Sequence, residues 1–177
     1  METTERIVEA YARYIKNWFT IPNIKCKGQY EIDLLAVDVD KKGVVNRYHI
    51  ESGVSISGSY SRLTLKDFST DRLKNRLQQA GQRRTLGYFT ERKFGSSEVL
   101  NTLNEYGFQK DNYKKIIVTW GWAEGVPEAA KKAGVQLWSF QDLLIDISKA
   151  YKTSRTYFTD DTMRTLQLMA MASQRIG

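Results

Sequence analysis

Apolar residues recur at helical spacing at the start of the chain: Ile7, Val8, Tyr11, Ile15, Trp18 and Phe19 form a stripe that leaves Glu2, Glu5 and Glu9 to one side. This pattern predicts an amphipathic helix over residues 2–19, ended by Ile21-Pro22-Asn23. Three short strands are expected next, at about 23–27, 30–39 and 46–57, the last two joined by the turn Asp40-Lys41-Lys42-Gly43. A second helix is expected over 67–84, with Leu73, Leu77 and Ala80 inward, and another over 96–106 behind a Ser-Ser-Glu cap. Residues 115–120 and 135–140 read as strands around a helix over 127–133 that stops at Gly134, and 141–151 as a further helix. Strand, helix and strand at this spacing favour a right-handed parallel crossover. A tail helix over 159–175 carries Met163, Leu166, Met169 and Ala170 on one stripe, which packs on the same core or against a second copy in a homodimer. The order is that of an α/β chain.

Composition narrows the class. With 177 residues and 41% hydrophobic content, the chain is expected to form one domain over 1–155 with a helical extension over 156–177. No apolar run reaches the ~18 residues of a membrane span, and Met1-Glu2-Thr3-Thr4-Glu5 is acidic and polar where a signal peptide is basic and then apolar. A soluble, cytoplasmic protein without a membrane partner is expected. A single cysteine, Cys26, excludes an internal disulfide framework, and with His49 the sole histidine no Cys/His zinc cluster is available within one chain. A metal here would be held by oxygen, which favours Mg²⁺ or Mn²⁺.

Charge is uneven along the chain. Of a net +7, residues 62–93 carry +6: Arg62, Lys66, Arg72, Lys74, Arg76, Arg83, Arg84, Arg92 and Lys93 stand against Asp67, Asp71 and Glu91. Interleaved with Phe68, Tyr88, Phe89 and Phe94, this segment suits a polyanion such as nucleic acid. A solvated helix face is the plainer reading.

The chemistry is concentrated in two strands. Gly28-Gln29-Tyr30-Glu31-Ile32-Asp33-Leu34-Leu35-Ala36 and Tyr48-His49-Ile50-Glu51-Ser52-Gly53-Val54-Ser55 each set acidic residues in an apolar run. Alternation puts Glu31, Asp33, Leu35 and Val37 on one side of the first strand, and His49, Glu51 and Gly53 on one side of the second. Paired across the turn, Asp33 and Glu51 face one space. Two such carboxylates repel unless a cation lies between them, and Mg²⁺ held by both polarises a phosphate and acidifies a water. A strand-edge carboxylate paired with a nearby Lys or Arg is the alternative.

An early helix with a glutamate, Gly-x-x-Glu-Ile-Asp-Leu-Leu-Ala, a turn, and His-Ile-Glu-x-Gly-Val-Ser together resemble the PD-(D/E)xK nuclease superfamily over about residues 2–150. The resemblance implies a restriction-endonuclease-like core of αβββαβ type, a central mixed sheet flanked by helices, here with a C-terminal helix. It also implies a metal-dependent DNA endonuclease, commonly dimeric, in which Asp33 and Glu51 hold the metal and a first-helix glutamate completes the site. Glu5, nearer the edge of the apolar stripe than Glu9, is the better candidate for that glutamate.

One position departs from the pattern. Gly53 stands where the superfamily places the lysine that orients or activates the attacking water. Either that cation comes from elsewhere or cleavage has been lost, leaving a nucleic-acid-binding or assembly module. Candidates for the relocated group are Lys25 and Lys27 on the preceding strand, or Lys74, Gln78 and Gln82 at i, i+4 and i+8 of the expected second helix. Arg72, Lys74, Arg76, Arg83 and Arg84 are the candidates for holding DNA phosphates. A protein or small anionic ligand on the basic segment is a third reading. His49 shares the face of Glu51 and is a candidate supporting residue, though a lone histidine is more often structural. Residues 53–59 have the glycines of a phosphate loop without its lysine, Cys26 lacks a histidine close in sequence, and no Gly-x-Ser-x-Gly elbow is present. Trp120, Trp122 and Trp138 suit core or rim packing better than base stacking.

Overall fold

The structure is a computed structural model that describes residues 2–153, 158 and 160–173. A five-stranded mixed sheet forms its centre, flanked by helices. Strands β1 (Phe19–Lys25), β2 (Glu31–Val39) and β3 (Val45–Gly53) run as an antiparallel meander. Strands β5 (Tyr113–Thr119) and β7 (Val135–Ser139) then add in parallel, giving the order β1-β2-β3-β5-β7. A short parallel pair, β4 (Arg62–Leu63) with β6 (Gly121–Trp122), lies apart from it.

Strand alternation assigns the two faces. Leu34, Ala36, Tyr48, Ile50, Ile116 and Val118 share one core with α1 (Thr3–Ala10), α6 (Phe140–Thr153) and α7 (Asp161–Ser173). Ile117 and Leu35, of the opposite parity, pack on the other face with α5 (Val126–Lys132), α4 (Ser97–Glu105) and the segment before α4. The tail stripe packs on the main core through Met163 and Ala170, but Met169 faces outward. Residues 154–157, 159 and 174–177 of the expected tail lie outside the described residues.

Three expectations need correction. The first helix stops earlier than expected: α1 runs into a π-helical turn at Tyr11–Ile15, and Phe19 belongs to β1, largely exposed. Pro22 does not end a helix but sits within β1, an edge strand where its missing N–H costs no ladder bond. The helix expected over 67–84 is two short pieces, α2 (Thr70–Lys74) and α3 (Gln79–Gln82). Asn75 breaks it: its backbone is extended, and its side-chain oxygen accepts the Leu77 N–H at 3.0 Å, a local turn that competes with the helix. Leu77, expected inward, is therefore 90% exposed, and Ala80 is exposed as well.

The segment that sequence periodicity leaves unassigned is a π-helical stretch, Tyr88–Lys93. Its signature is the Phe94 N–H bonded to the Phe89 carbonyl at 2.8 Å, five residues back. Phe89 and Phe94 are both buried in one cluster, so the wider turn brings two rings five residues apart onto the same face. That stretch ends against the part of the sheet where Asp33 and Glu51 lie, on the inner strands β2 and β3.

Candidate functional site

β2 and β3 pair with Leu34 opposite Ile50 and Leu35 opposite His49, which brings Asp33 level with Glu51. Each carboxylate has one oxygen tied to the scaffold. Asp33 Oδ2 accepts the Ser52 backbone N–H at 2.8 Å. Glu51 Oε1 lies 2.7 Å from His49 Nε2 and accepts the Asp33 N–H at 3.4 Å. The strands are thus cross-linked by the side chains they present. The free oxygens of both residues turn to one cation, Lys93, at the end of the π-helical segment. Its ammonium donates to Asp33 Oδ1 at 2.9 Å and to the Glu31 carbonyl at 3.1 Å, and lies 2.5 Å from Glu51 Oε2.

Burial sets the electrostatics. It raises the Asp33 carboxyl to about 7, assisted by the Glu51 charge and opposed by Lys93. Glu51, fully buried, is raised to about 6 by the same desolvation, again with Lys93 opposing. Desolvation acts to lower Lys93, but the two carboxylates overcome it and hold the ammonium charged. His49 is lowered to about 3 by burial and then by the Lys93 charge. It is neutral, so the hydrogen bond to Glu51 requires the tautomer with the proton on Nε2. The ring stands edge-on to Phe94 with centroids 4.8 Å apart, and Nδ1 has no hydrogen-bond partner.

Gly53 leaves no space for a side chain. A Cβ at this position would sit 2.5 Å from Phe89 Cζ. The Phe89 ring fills the space into which a side chain at position 53 would project, and Lys93 follows Phe89 by four residues on the same segment.

Asp33, Ser52, Gly53, Phe89 and Lys93 line a cleft of about 770 Å³. Glu51 does not line it and lies beneath Lys93. Around it basic side chains outnumber acidic ones, with Lys25, Lys74, Arg83, Arg84 and Arg92 against Glu2, Glu5 and Glu31. Arg92 stacks on Tyr30 at 4.5 Å, and Arg84 Nη2 reaches the Val54 carbonyl at 3.5 Å. Of the expected phosphate contacts, Lys74, Arg83 and Arg84 line the cleft, whereas Arg72 and Arg76 do not. Lys25 lines it as well, its ammonium paired with the Glu31 carboxylate. The other groups proposed for the lysine's role lie elsewhere. Lys27 is exposed in the β1–β2 connection, and Gln78 is exposed ahead of α3. Gln82 is buried but spends its amide on the Ser69 N–H at 2.7 Å and the Asp67 carbonyl at 3.3 Å. Lys93, which the helical periodicity does not single out, is the lysine that meets Asp33 and Glu51, and the five-residue spacing of Phe89 and Phe94 is the signal for its turn.

Glu5 lines the cleft, and one of its oxygens accepts the Glu2 N–H at 2.8 Å in the capping box of α1. Burial raises its carboxyl, and the Asp33 charge adds to the rise. Glu9 is not on an open face: it accepts from Thr20 Oγ1 at 3.2 Å and pairs with Arg13. Among the described residues no group of three or more His, Cys, Asp or Glu side chains is placed to hold a metal. Asp33 and Glu51 are therefore a two-carboxylate site with a lysine between them.

No protein-family model matches the chain, and no curated protein is detectably similar. Among solved structures, the chain is similar to one described as a crystal structure of a protein of unknown function, AF1548, with 14% identity and a TM-score of 0.48 over 99% of this chain and 100% of the other. No helix among the described residues is long and apolar enough to cross a membrane.

Proposed function

We propose that this protein is a metal-dependent endonuclease of the restriction-endonuclease-like fold, acting on DNA. The reading is carried by the convergence of Asp33, Glu51 and Lys93, from three separate elements, at a cleft lined by more basic than acidic side chains. The donor set fits Mg²⁺ or Mn²⁺: hard carboxylate oxygens, few in number, as suits an ion that keeps waters and takes substrate phosphate oxygens as further ligands. Asp33 and Glu51 are the residues that would hold it. When bound, such an ion polarises a phosphoryl oxygen and acidifies a water.

The remaining roles belong to the chain itself. His49 fixes the rotamer of Glu51, and the Ser52 N–H fixes that of Asp33. Lys93 brings to the site the positive charge that Gly53 lacks, next to where charge develops on a scissile phosphate. Lys74, Arg83, Arg84 and Arg92 hold the phosphates of the backbone, and Glu5 lines the same cleft.

The test is cleavage of supercoiled, linear and branched DNA by protein stripped with EDTA and then supplied with Mg²⁺ or Mn²⁺. Metal-dependent nicking or linearisation is expected, lost in Asp33→Asn and Glu51→Gln. DNA binding without cutting under any of these conditions would sink the enzyme reading and leave a binding or assembly module on the same fold.

A further inference from the structure

The Lys93 ammonium has three protons and three oxygen neighbours: Asp33 Oδ1, the Glu31 carbonyl and Glu51 Oε2. Two carboxylates and a peptide carbonyl are also donors of the kind a divalent cation takes. Glu51 Oε2 has no hydrogen bond of good geometry and is ion-paired with this ammonium, and Glu51 does not line the cleft that Lys93 lines. Each carboxylate's other oxygen is already committed to the scaffold. A metal ion arriving from the cleft therefore finds the oxygens it needs already taken by a cation.

We propose that Lys93 is the resident counter-ion of the site, and that Mg²⁺ or Mn²⁺ enters by exchange, taking Asp33 Oδ1 and Glu51 Oε2 from the ammonium. The inference rests on the metal-dependent reading above and adds to it a built-in competitor for the metal. With both carboxylates ionised, the three side chains sum to a single negative charge, and without Lys93 to two, so removing the lysine strengthens the site's attraction for a dication at a pH where the pair is deprotonated. Exchange also has a consequence for substrate. Lys93 lines the cleft, so an ammonium released from the carboxylates joins the phosphate-facing cations only once the metal is held. Metal would then bind before DNA, and DNA would bind more tightly with metal present.

Isothermal titration of the full chain with Mn²⁺ alone, without DNA, compares the native protein with Lys93→Met and Lys93→Gln. Exchange predicts affinity at least about tenfold higher in both variants. A second measurement uses the native protein and needs no variant to fold: acylation of lysine amines, read by mass spectrometry with and without Mn²⁺. Labelling of Lys93 should rise several-fold on saturation, with that of exposed Lys114 unchanged. Equal or weaker Mn²⁺ binding by the variants, or unchanged Lys93 labelling at saturating Mn²⁺, overturns the exchange and leaves the metal reading standing. Absence of Mn²⁺ binding in the native protein and both variants overturns the two together.

Discussion

Replacing Gly53 tests the packing that seats the π-helical segment, and with it Lys93, against β3. In Gly53→Ala the new Cβ meets Phe89 Cζ at 2.5 Å, Phe89 Cε2 at 3.3 Å and Arg84 Nη1 at 3.4 Å. Carbon atoms rest at roughly 3.5–4.0 Å, so the ring must retreat by about 1 Å. It has nowhere easy to go: Phe89 is 2% exposed and packed with Leu63, Leu86, Phe94 and Ile117. Overpacking of this kind costs about 1–3 kcal/mol. Urea unfolding followed by tryptophan fluorescence, with four tryptophans as probes, measures it. Phe89→Ala alone should cost about 3–5 kcal/mol, and the double variant should fall short of the sum by at least about 1 kcal/mol, because the clash is gone. Gly53→Lys, which puts a longer side chain against the same ring, should be more destabilising than Gly53→Ala and should not rescue Lys93→Met. Gly53→Ala within about 0.5 kcal/mol of the native protein, with additive double-variant energies, would refute the reasoning.

Other expectations are as direct. Asp33 and His49 pull the pH dependence of stability in opposite directions. A carboxyl at about 7 in the fold, against 3.8 for the free group, contributes stability that is full below about pH 4 and lost as pH rises through 7. A histidine at about 3 against 6.5 contributes stability that is full above 6.5 and lost as pH falls toward 3. Glu51, at about 6, titrates in the same sense as Asp33, so the comparison is with the native protein: between pH 6.5 and 5 the stability of Asp33→Asn should fall more, and that of His49→Gln fall less or rise, than native stability as pH drops, in urea midpoints at fixed ionic strength; the same slope in both variants would contradict these assignments. In DNA binding, Lys74→Ala and Arg83→Ala should each lower the slope of log K against log salt by about 1. Arg72→Ala and Arg76→Ala, whose side chains lie outside the cleft, should change it much less. Mn²⁺ should raise the melting temperature of the native protein at pH 8 but not that of the Asp33→Asn, Glu51→Gln double variant, by differential scanning fluorimetry.

The acidic pair was legible because strand alternation is rigid. Once the 40–43 turn joins the two strands, parity alone places Asp33 beside Glu51, and the observed register does so. The mixed sheet was legible for the same reason, since apolar runs such as Ile116-Ile117-Val118 need cover on both faces. Lys93 was not, because the α-helical period along 67–84 points to Lys74, Gln78 and Gln82, and Asn75 interrupts that helix and sends the three to different surroundings. The residue that answers lies on a turn of wider period, which spacings of three and four do not detect. Gly53 itself held the clue. A glycine in a buried strand marks the close approach of another group, and here that group is Phe89, whose turn ends at Lys93. The ring that packs on Gly53 and the lysine that meets Asp33 and Glu51 thus belong to one turn. A chain with Glu-x-Gly in this strand should accordingly be searched for an aromatic residue followed four positions later by a lysine.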